Sequence, residues 1–182
     1  MDILFRLLLT LNATSLLVLV FVAKEGLHLV SIFPAFIWLA IVPAWVSYLM
    51  YMAIPVALTK LIIIVSAFLP KRNFEPGSIT EIGHANNSFL PSYLGYFFVA
   101  LSIPDVDVLI FVYALLFMFT YLSQALYFNP LFLVFGFQFY NIKTQNGTEL
   151  FLISKEKYKV PKEIDISSCR SINDYTLMEG AK

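Results

Sequence analysis

Three long stretches of this chain contain no charged side chain, and they limit its possible folds more than any motif does. Asp, Glu, Lys and Arg are all absent from residues 26–59, 82–104 and 108–142. Of the 182 residues, 59% are hydrophobic and only 13% are charged, whereas a soluble domain carries about 25% charged residues. A chain of this size cannot hide so much apolar surface in its own core. We therefore expect an integral membrane protein.

The apolar segments predict a mainly α-helical fold, a four-helix transmembrane bundle. A helix needs about 20 apolar residues to cross the hydrocarbon core of a bilayer. On this criterion four segments are interpreted as spans, at approximately residues 3–23, 29–52, 87–103 and 106–127. They belong to a predicted transmembrane domain of residues 1–135.

Residues 53–70, AIPVALTKLIIIVSAFLP, are harder to assign. As a fifth span they would place Lys60 near the middle of the membrane, which costs about 2.5–3.5 kcal/mol on insertion scales. We favour an interfacial helix, or a bent continuation of the second span. In either arrangement Lys60 extends to the lipid headgroups, and Pro55 supplies the bend.

The positions of Lys and Arg predict the orientation in the membrane. In a four-span arrangement one side carries Lys24 alone, and the other side carries Arg6, Lys60, Lys71, Arg72 and Lys143. Because basic residues favour the cytoplasmic side, we expect a multi-pass protein with both termini in the cytoplasm.

Residues 136–182 are predicted to form a small cytoplasmic part. Residues 137–144 alternate in type, and Asn146-Gly147 is a strong signal for a β-hairpin. An isolated hairpin is only marginally stable in water, so it must contact the membrane domain, another copy or a partner. The chain after Pro161 has no clear period and is interpreted as a tail that orders on a partner or not at all.

The third predicted span has a stripe of small side chains. It begins at Asn86 and Asn87, which are good N-cap residues, with Pro91 in the first turn. Side chains that recur at steps of three and four lie on one helix face: Ser88, Ser92, Gly95, Val99 and Ser102. Such a stripe favours close helix packing, within or between protomers. A polar stripe lining a pore is the alternative.

Polar residues inside the predicted spans form a second candidate set: Asn12, Tyr113, Thr120 and Gln124. An unpaired amide in hydrocarbon costs several kcal/mol, so we expect these side chains to face the bundle and to form hydrogen bonds there. Since none of them is ionisable, a selective ion path is less favoured.

The sequence offers little for catalysis. The histidines are His28, at a helix edge, and His84, which we expect in an exposed loop with Glu81. No phosphate loop, metal-ligand spacing or catalytic triad pattern occurs, and Cys169 is the single cysteine. We predict no catalytic residues, no metal and no cofactor. The formal net charge of zero argues against direct nucleic-acid binding.

Two runs of the sequence carry a resemblance to a known family. NNSFLPSYLGYFFVALSIPD at 86–105, and YFNPLFLVFGFQFYNIKTQNGTELFLISK at 127–155, resemble the membrane subunit of the Kiwa anti-phage defence system of bacteria. The resemblance covers about residues 80–155. It implies a small multi-span protein of the bacterial inner membrane, which senses infection and relays it to a cytoplasmic DNA-binding effector.

If the resemblance holds, the spans would associate into a homo-oligomer, with a tetramer favoured, and the hairpin would bind the effector. Binding by strand addition or by an apolar face would involve Phe137, Phe139, Asn146, Gly147, Leu150 and Leu152. The alternatives are a pore- or channel-forming protein, in which Asn12, Thr120 and Gln124 line a path, and a subunit that assists lipid modification or transport.

Overall fold

The computed structural model describes residues 2–36, 39, 41–71, 78–87, 90–123, 129–159 and 169–179. The helices are α1 (Asp2–Lys24), α2 (Leu29–Ile32), α3 (Ala44–Val65), α4 (Leu90–Ser102), α5 (Val106–Ser123) and α6 (Leu131–Val134). The strands are β1 (Ile79–His84), β2 (Gln138–Thr144), β3 (Glu149–Ser154), β4 (Cys169–Ser171) and β5 (Thr176–Glu179).

Helix α1 is the centre of the bundle and packs against α3, α4 and α5. Hydrogen bonds fix two of these contacts inside the protein. Asn12 Nδ2 donates to Thr59 Oγ1 of α3 at 2.8 Å, and Thr14 Oγ1 lies 3.1 Å from the Tyr113 hydroxyl of α5. Polar side chains therefore pair with one another between the helices, as expected where water is excluded.

Three of the described helices are long and apolar enough to cross a membrane: Ile3–Lys24 with 22 residues, Ala44–Phe68 with 25 and Val106–Ser123 with 18. Their outer faces carry large apolar side chains, and α5 has no buried residue at all. On α5, for example, Phe111 is 66% exposed and Ile110 is 61% exposed. Water would not solvate such surfaces favourably, whereas lipid chains would.

The predicted second span is wrong in its bounds. Residues 29–52 do not form one helix, because α2 ends at Ile32 and the next long helix begins at Ala44, with Pro43 as its N-cap. Proline cannot lie in a helix interior without loss of a backbone hydrogen bond, and Pro34 and Pro43 flank the break. Of the two expectations for residues 53–70, the separate interfacial helix is wrong. These residues continue the helix before them, since α3 and the 3₁₀ turn Ser66–Phe68 run through them.

The predicted third span is also shorter than expected. Instead of residues 87–103, α4 covers Leu90–Ser102, which is 13 residues. Three described helices, rather than four, have the length of a membrane span. The first span agrees with α1, and the fourth agrees with α5 as far as Ser123, since residues 124–128 lie outside the described part.

The five strands form one sheet in the order β1-β2-β3-β5-β4. The predicted hairpin is confirmed, since β2 pairs antiparallel with β3 from Gln138↔Ser154 to Lys143↔Glu149. Its turn places Gly147 at φ +77°, where glycine is favoured. The hairpin is not isolated, however, because β1 pairs with β2 and β5 pairs with β3.

The expectation of an unstructured tail is wrong for residues 169–179. They form β4 and β5, and β5 runs parallel to β3. Cys169, Leu177 and Met178 are at most 2% exposed, so this part of the chain belongs to the core. His84, expected in a loop, lies in strand β1.

A shared hydrophobic core joins the sheet to the end of the bundle where α1 begins and α3 finishes. The helical side chains in this core are Phe5, Leu9, Ile62, Leu69 and Phe132, and those from or beside the sheet are Ala85, Phe137, Phe139, Phe151, Ile153, Ile172 and Met178. The sheet is therefore part of the same folded unit as the helices.

Candidate functional site

The described part of the segment that links β1 to α4, residues 85–87, is here called the junction. Its central residue is Asn86, whose Oδ1 accepts a hydrogen bond from the Phe139 backbone N–H at 2.8 Å and whose Nδ2 donates to Gln138 Oε1 at 2.5 Å. The Ala85 N–H donates to the Phe139 carbonyl at 2.8 Å. The junction is thus hydrogen-bonded to strand β2 a few residues before α4 begins.

Strand β1 is an edge of the sheet among the described residues, because it pairs with β2 on one side only. Since the Ala85 N–H points to β2, alternation along the strand directs the backbone groups of Ile82 and His84 away from the sheet. The opposite edge, formed by β4, is partly covered by the segment after α3. The Ser171 N–H donates to the Pro70 carbonyl, and the backbones of Lys71 and Arg170 form an isolated antiparallel β-bridge. The open edge is therefore that of β1.

An open groove of about 880 Å³ lies between the sheet and the end of α5, lined by residues of β1, β2, β3 and β5. Lys143 Nζ is 3.6 Å from Glu81 Oε1 within it. Its other polar and aromatic lining includes Asn141, Glu149, Asp174 and Tyr175.

The predicted partner-binding residues are mostly inside the protein. Phe137, Phe139 and Leu152 are 0% exposed and Leu150 is 5% exposed. Phe137 and Phe139 pack against the helices, and Leu150 and Leu152 belong to a second buried cluster formed by side chains of the sheet. These side chains form no exposed docking face, and the hairpin strands have no free edge. Asn146 and Gly147 are exposed in the turn.

Three of the five predicted helix-interface residues are described, and they do not pack within the protomer. Gly95, Val99 and Ser102 are exposed on α4, and open space surrounds the Gly95 Cα on its outer side. The inner face of α4 instead uses Tyr93 and Ala100, which are 4% and 0% exposed. Ser88 and the Ser92 side chain lie outside the described part of the chain.

The predicted intramembrane polar residues occupy different environments. Asn12 is fully buried, and its carbonyl accepts a hydrogen bond from Asn129 Nδ2 at 3.2 Å. Its Oδ1 has no hydrogen-bond partner among the described residues. The Tyr113 hydroxyl is hydrogen-bonded to Thr14 Oγ1. Thr120 is half-buried, and its carbonyl accepts a hydrogen bond from the Ser123 hydroxyl. Gln124 lies outside the described residues. The structure does not bring these side chains together as one face.

A buried carboxylate group is a feature that the sequence reasoning missed. Glu179 is 7% exposed and accepts hydrogen bonds from the Ser154 hydroxyl and from the Tyr158 hydroxyl, whose oxygen is 2.9–3.0 Å from the carboxylate oxygens. Tyr140 joins them, since its hydroxyl accepts from the Tyr158 N–H at 3.2 Å and donates to the Glu156 carbonyl at 3.1 Å. No local pattern could reveal this group, because its members come from three separate segments.

The environment of this carboxylate group changes the acidity of its tyrosines. Burial raises the pKa of Tyr158 well above its usual range, and the hydrogen bond to Glu179 adds to the increase. Burial also raises the pKa of Tyr140. Both hydroxyls therefore remain neutral donors at physiological pH. No group of three or more His, Cys, Asp or Glu side chains suited to a metal occurs in the described part of the chain.

Long apolar helices with a sheet fixed to one end are consistent with a helical integral membrane protein. The comparison with protein families makes the assignment specific. A family model described as anti-phage protein KwaA matches residues 5–178, so the chain belongs to the KwaA family of anti-phage proteins. This confirms the resemblance noted in the sequence and its implication of anti-phage defence. No curated protein and no solved structure matches the chain.

Proposed function

We propose that this chain is the membrane-embedded subunit of an anti-phage defence complex in the bacterial inner membrane. It senses infection there and recruits or regulates a cytoplasmic DNA-binding effector. It has no enzymatic activity, uses no cofactor and does not itself contact nucleic acid. Family membership supports the defence role, and the three apolar helices support the membrane location.

The observation that carries the recruitment step is the open edge of β1 next to the junction. An extended segment of a partner can add to such an edge through main-chain hydrogen bonds, and an uncovered edge is unusual unless it has a use. This edge replaces the hairpin as the docking element, because β1 and β5 occupy both sides of the hairpin.

A proline substitution at the edge tests this proposal. Ile82→Pro removes an outward N–H while leaving the bonds from β1 to β2 in place. Ile82→Ala is the matched control, because it loses the same side chain and keeps the N–H. We expect the effector to co-purify with membranes that contain wild type or Ile82→Ala, and to lose at least about tenfold in affinity for Ile82→Pro, as expected for about 1.4 kcal/mol.

Equal recruitment by the two variants would show that the edge is not the docking element. Extraction from washed membranes and the unfolding temperature must be the same for both variants, so that lost recruitment is not lost folding. Failure of the effector to bind wild-type membranes at all would contradict the recruitment function itself.

Homo-oligomer formation, with a tetramer favoured, belongs to the same proposal. The exposed small residues Gly95, Val99 and Ser102 offer a surface on which a second copy can approach closely. Crosslinking of Gly95→Cys in native membranes, followed by mass determination, tests this interface and the number of copies.

A pore is the second candidate function, and the Asn12 Oδ1 atom favours it. A buried amide oxygen without a protein partner is a site for internal water. Ion flux through the purified protein in liposomes, abolished by Asn12→Leu or Gln124→Leu, would support a pore. Absence of flux under conditions where the effector is recruited would favour the docking function.

A further inference from the structure

Helix α4 is too short to cross a bilayer of ordinary thickness. Its 13 residues span about 20 Å at 1.5 Å per residue, whereas the hydrocarbon core is about 30 Å thick. By the same rule the 25 residues of Ala44–Phe68 extend for about 37 Å. The two helices therefore give the bundle flanks of different apolar length.

Two contacts show where α4 lies along α1. The Tyr93 hydroxyl is 3.5 Å from the Ala13 carbonyl, and Lys24 Nζ is 2.5 Å from the Ile103 carbonyl. Similar numbers of residues separate the two contact points on each helix, so α1 and α4 run side by side in the same direction. Helix α4 therefore begins beside the middle of α1, at about the level of Thr10.

Below the start of α4 the surface becomes polar. His84 and Asn87 are exposed, and Asn86 is half-buried in its bonds to β2. Exposed polar groups and non-helical backbone are strongly disfavoured in hydrocarbon. The apolar surface on this flank must therefore end at the junction.

The other flanks remain apolar much further toward the sheet. Phe68 at the end of α3 is 69% exposed, and Leu122 near the end of α5 is 63% exposed. The apolar belt of the protein is thus about 17 Å shorter at α4 than at the Ala44–Phe68 helix.

We propose that the α4 flank binds a locally thinned bilayer and that the junction transmits bilayer thickness to the sheet. This inference rests on the proposed sensing function and assigns the sensing element to α4. Mismatch between protein and bilayer deforms the lipid at a free-energy cost that rises with each ångström, so a change in thickness exerts a force on α4 along the membrane normal.

The face of α4 that carries Phe98 and Leu101, beside the stripe of small residues, fits a bilayer better than it fits a second copy. Large apolar side chains cover the outer face of α4, with Phe98 67% exposed and Leu101 54% exposed. Immediately below them, His84 and Asn87 require water or lipid headgroups. A thinned leaflet supplies chains and headgroups at these two levels, whereas the long apolar flanks of another copy would leave the polar groups buried.

The junction is suited to relay a movement of α4. Asn86 binds both Gln138 and Phe139 through its side chain, and Ala85 binds Phe139 through its backbone. A shift of α4 along the membrane normal therefore moves the end of β2 and the edge strand β1 together. The open edge of β1 is where the proposed effector docks.

The test uses the full chain reconstituted in phosphatidylcholine vesicles whose monounsaturated acyl chains increase in length stepwise, from myristoleoyl to erucoyl. We expect the unfolding temperature of the wild type to be highest in a thin bilayer and to fall by several degrees toward the longest chains. The double variant His84→Leu/Asn87→Leu extends the apolar surface past the junction, so its optimum moves toward thicker bilayers. Asn146→Leu, an equal change at the exposed turn far from α4, leaves the optimum in place.

An unfolding temperature that does not vary with chain length, or an optimum that the double variant does not move, overturns the inference. Effector recruitment is measured separately. Its loss at every bilayer thickness contradicts the proposed function, whereas this inference is still tested by the dependence of the unfolding temperature on thickness.

Discussion

At the scale of single residues, Glu179 connects separate segments of the sheet region through hydrogen bonds. Its carboxylate accepts hydrogen bonds from Ser154 at the end of β3 and from Tyr158 in the following segment. Tyr158 in turn binds Tyr140 of β2. One acidic side chain on β5 therefore holds the segment that follows β3, up to Tyr158, against the sheet.

Removal of this carboxylate should destabilise the protein. Glu179→Leu removes the acceptor of the buried Ser154 hydroxyl and of the partly buried Tyr158 hydroxyl, and a buried hydroxyl without an acceptor costs about 1–3 kcal/mol. Glu179→Gln keeps an acceptor oxygen and should lose clearly less. Unfolding temperatures in detergent would show the order wild type, Gln variant, Leu variant. Equal stability of the two variants would mean that the hydrogen bonds contribute little.

The raised pKa values of Tyr158 and Tyr140 predict alkaline sensitivity. Folding keeps both hydroxyls neutral, whereas the unfolded chain ionises its tyrosines near the ordinary pKa of 10.0. The stability contribution is therefore complete below this pH and is lost as pH rises toward the higher folded pKa values. An unfolding series between about pH 8 and pH 12 should show this loss, and Tyr158→Phe should reduce its slope. An unchanged slope would exclude Tyr158 as the cause.

At the scale of elements, local signals decided which predictions succeeded. Helix α1 and the β2–β3 hairpin were predictable because one long apolar run and the Asn146-Gly147 turn each act within a few residues. The bounds of the next helix were not, since hydropathy continues without a break across Pro43. Strands β4 and β5 are short, and β5 pairs in parallel with β3, so their order depends on contacts between distant residues.

The candidate site was even less predictable than the fold. The alternation of Phe137, Phe139 and their neighbours indicated a strand with an apolar face, and the sequence could not show what covers that face. The helix ends cover it through side chains such as Phe5 and Ile62. The open edge belongs instead to β1, whose six residues lack a strong alternating pattern.

The last two strands should be essential for a stable sheet. Truncation after residue 168 removes β4 and β5, leaves the edge of β3 unpaired and uncovers Phe151 and Ile153. Loss of Leu177 and Met178, which are at most 2% exposed, also opens cavities, and each buried large side chain lost costs about 2–5 kcal/mol. We expect aggregation on size-exclusion chromatography in detergent. Truncation after residue 179 is the control and should remain monodisperse.

At the scale of the whole molecule, the sheet marks one end of the bundle and the Lys24 region marks the other. Lys24 Nζ is 3.1 Å from Glu25 Oε1 and also binds the Ile103 carbonyl, beside the short link between α4 and α5. The sheet end holds the start of α1 and the last part of α3. Since α3 and α5 both end at the sheet, an arrangement with the sheet in the cytoplasm places this link outside.

Cysteine labelling in intact cells tests that topology, and the short α4 makes the result informative. Pro104→Cys lies in the exposed link and preserves the Asp105 carboxylate that caps α5 through Val108 N–H at 2.9 Å. Asn146→Cys lies in the exposed turn of the sheet. We expect a membrane-impermeant maleimide to label position 104 in intact cells and position 146 only after lysis. The native Cys169 is 1% exposed and should give little background. Labelling of both positions from the same side would mean that α4 and α5 do not cross the membrane as a pair with the link outside.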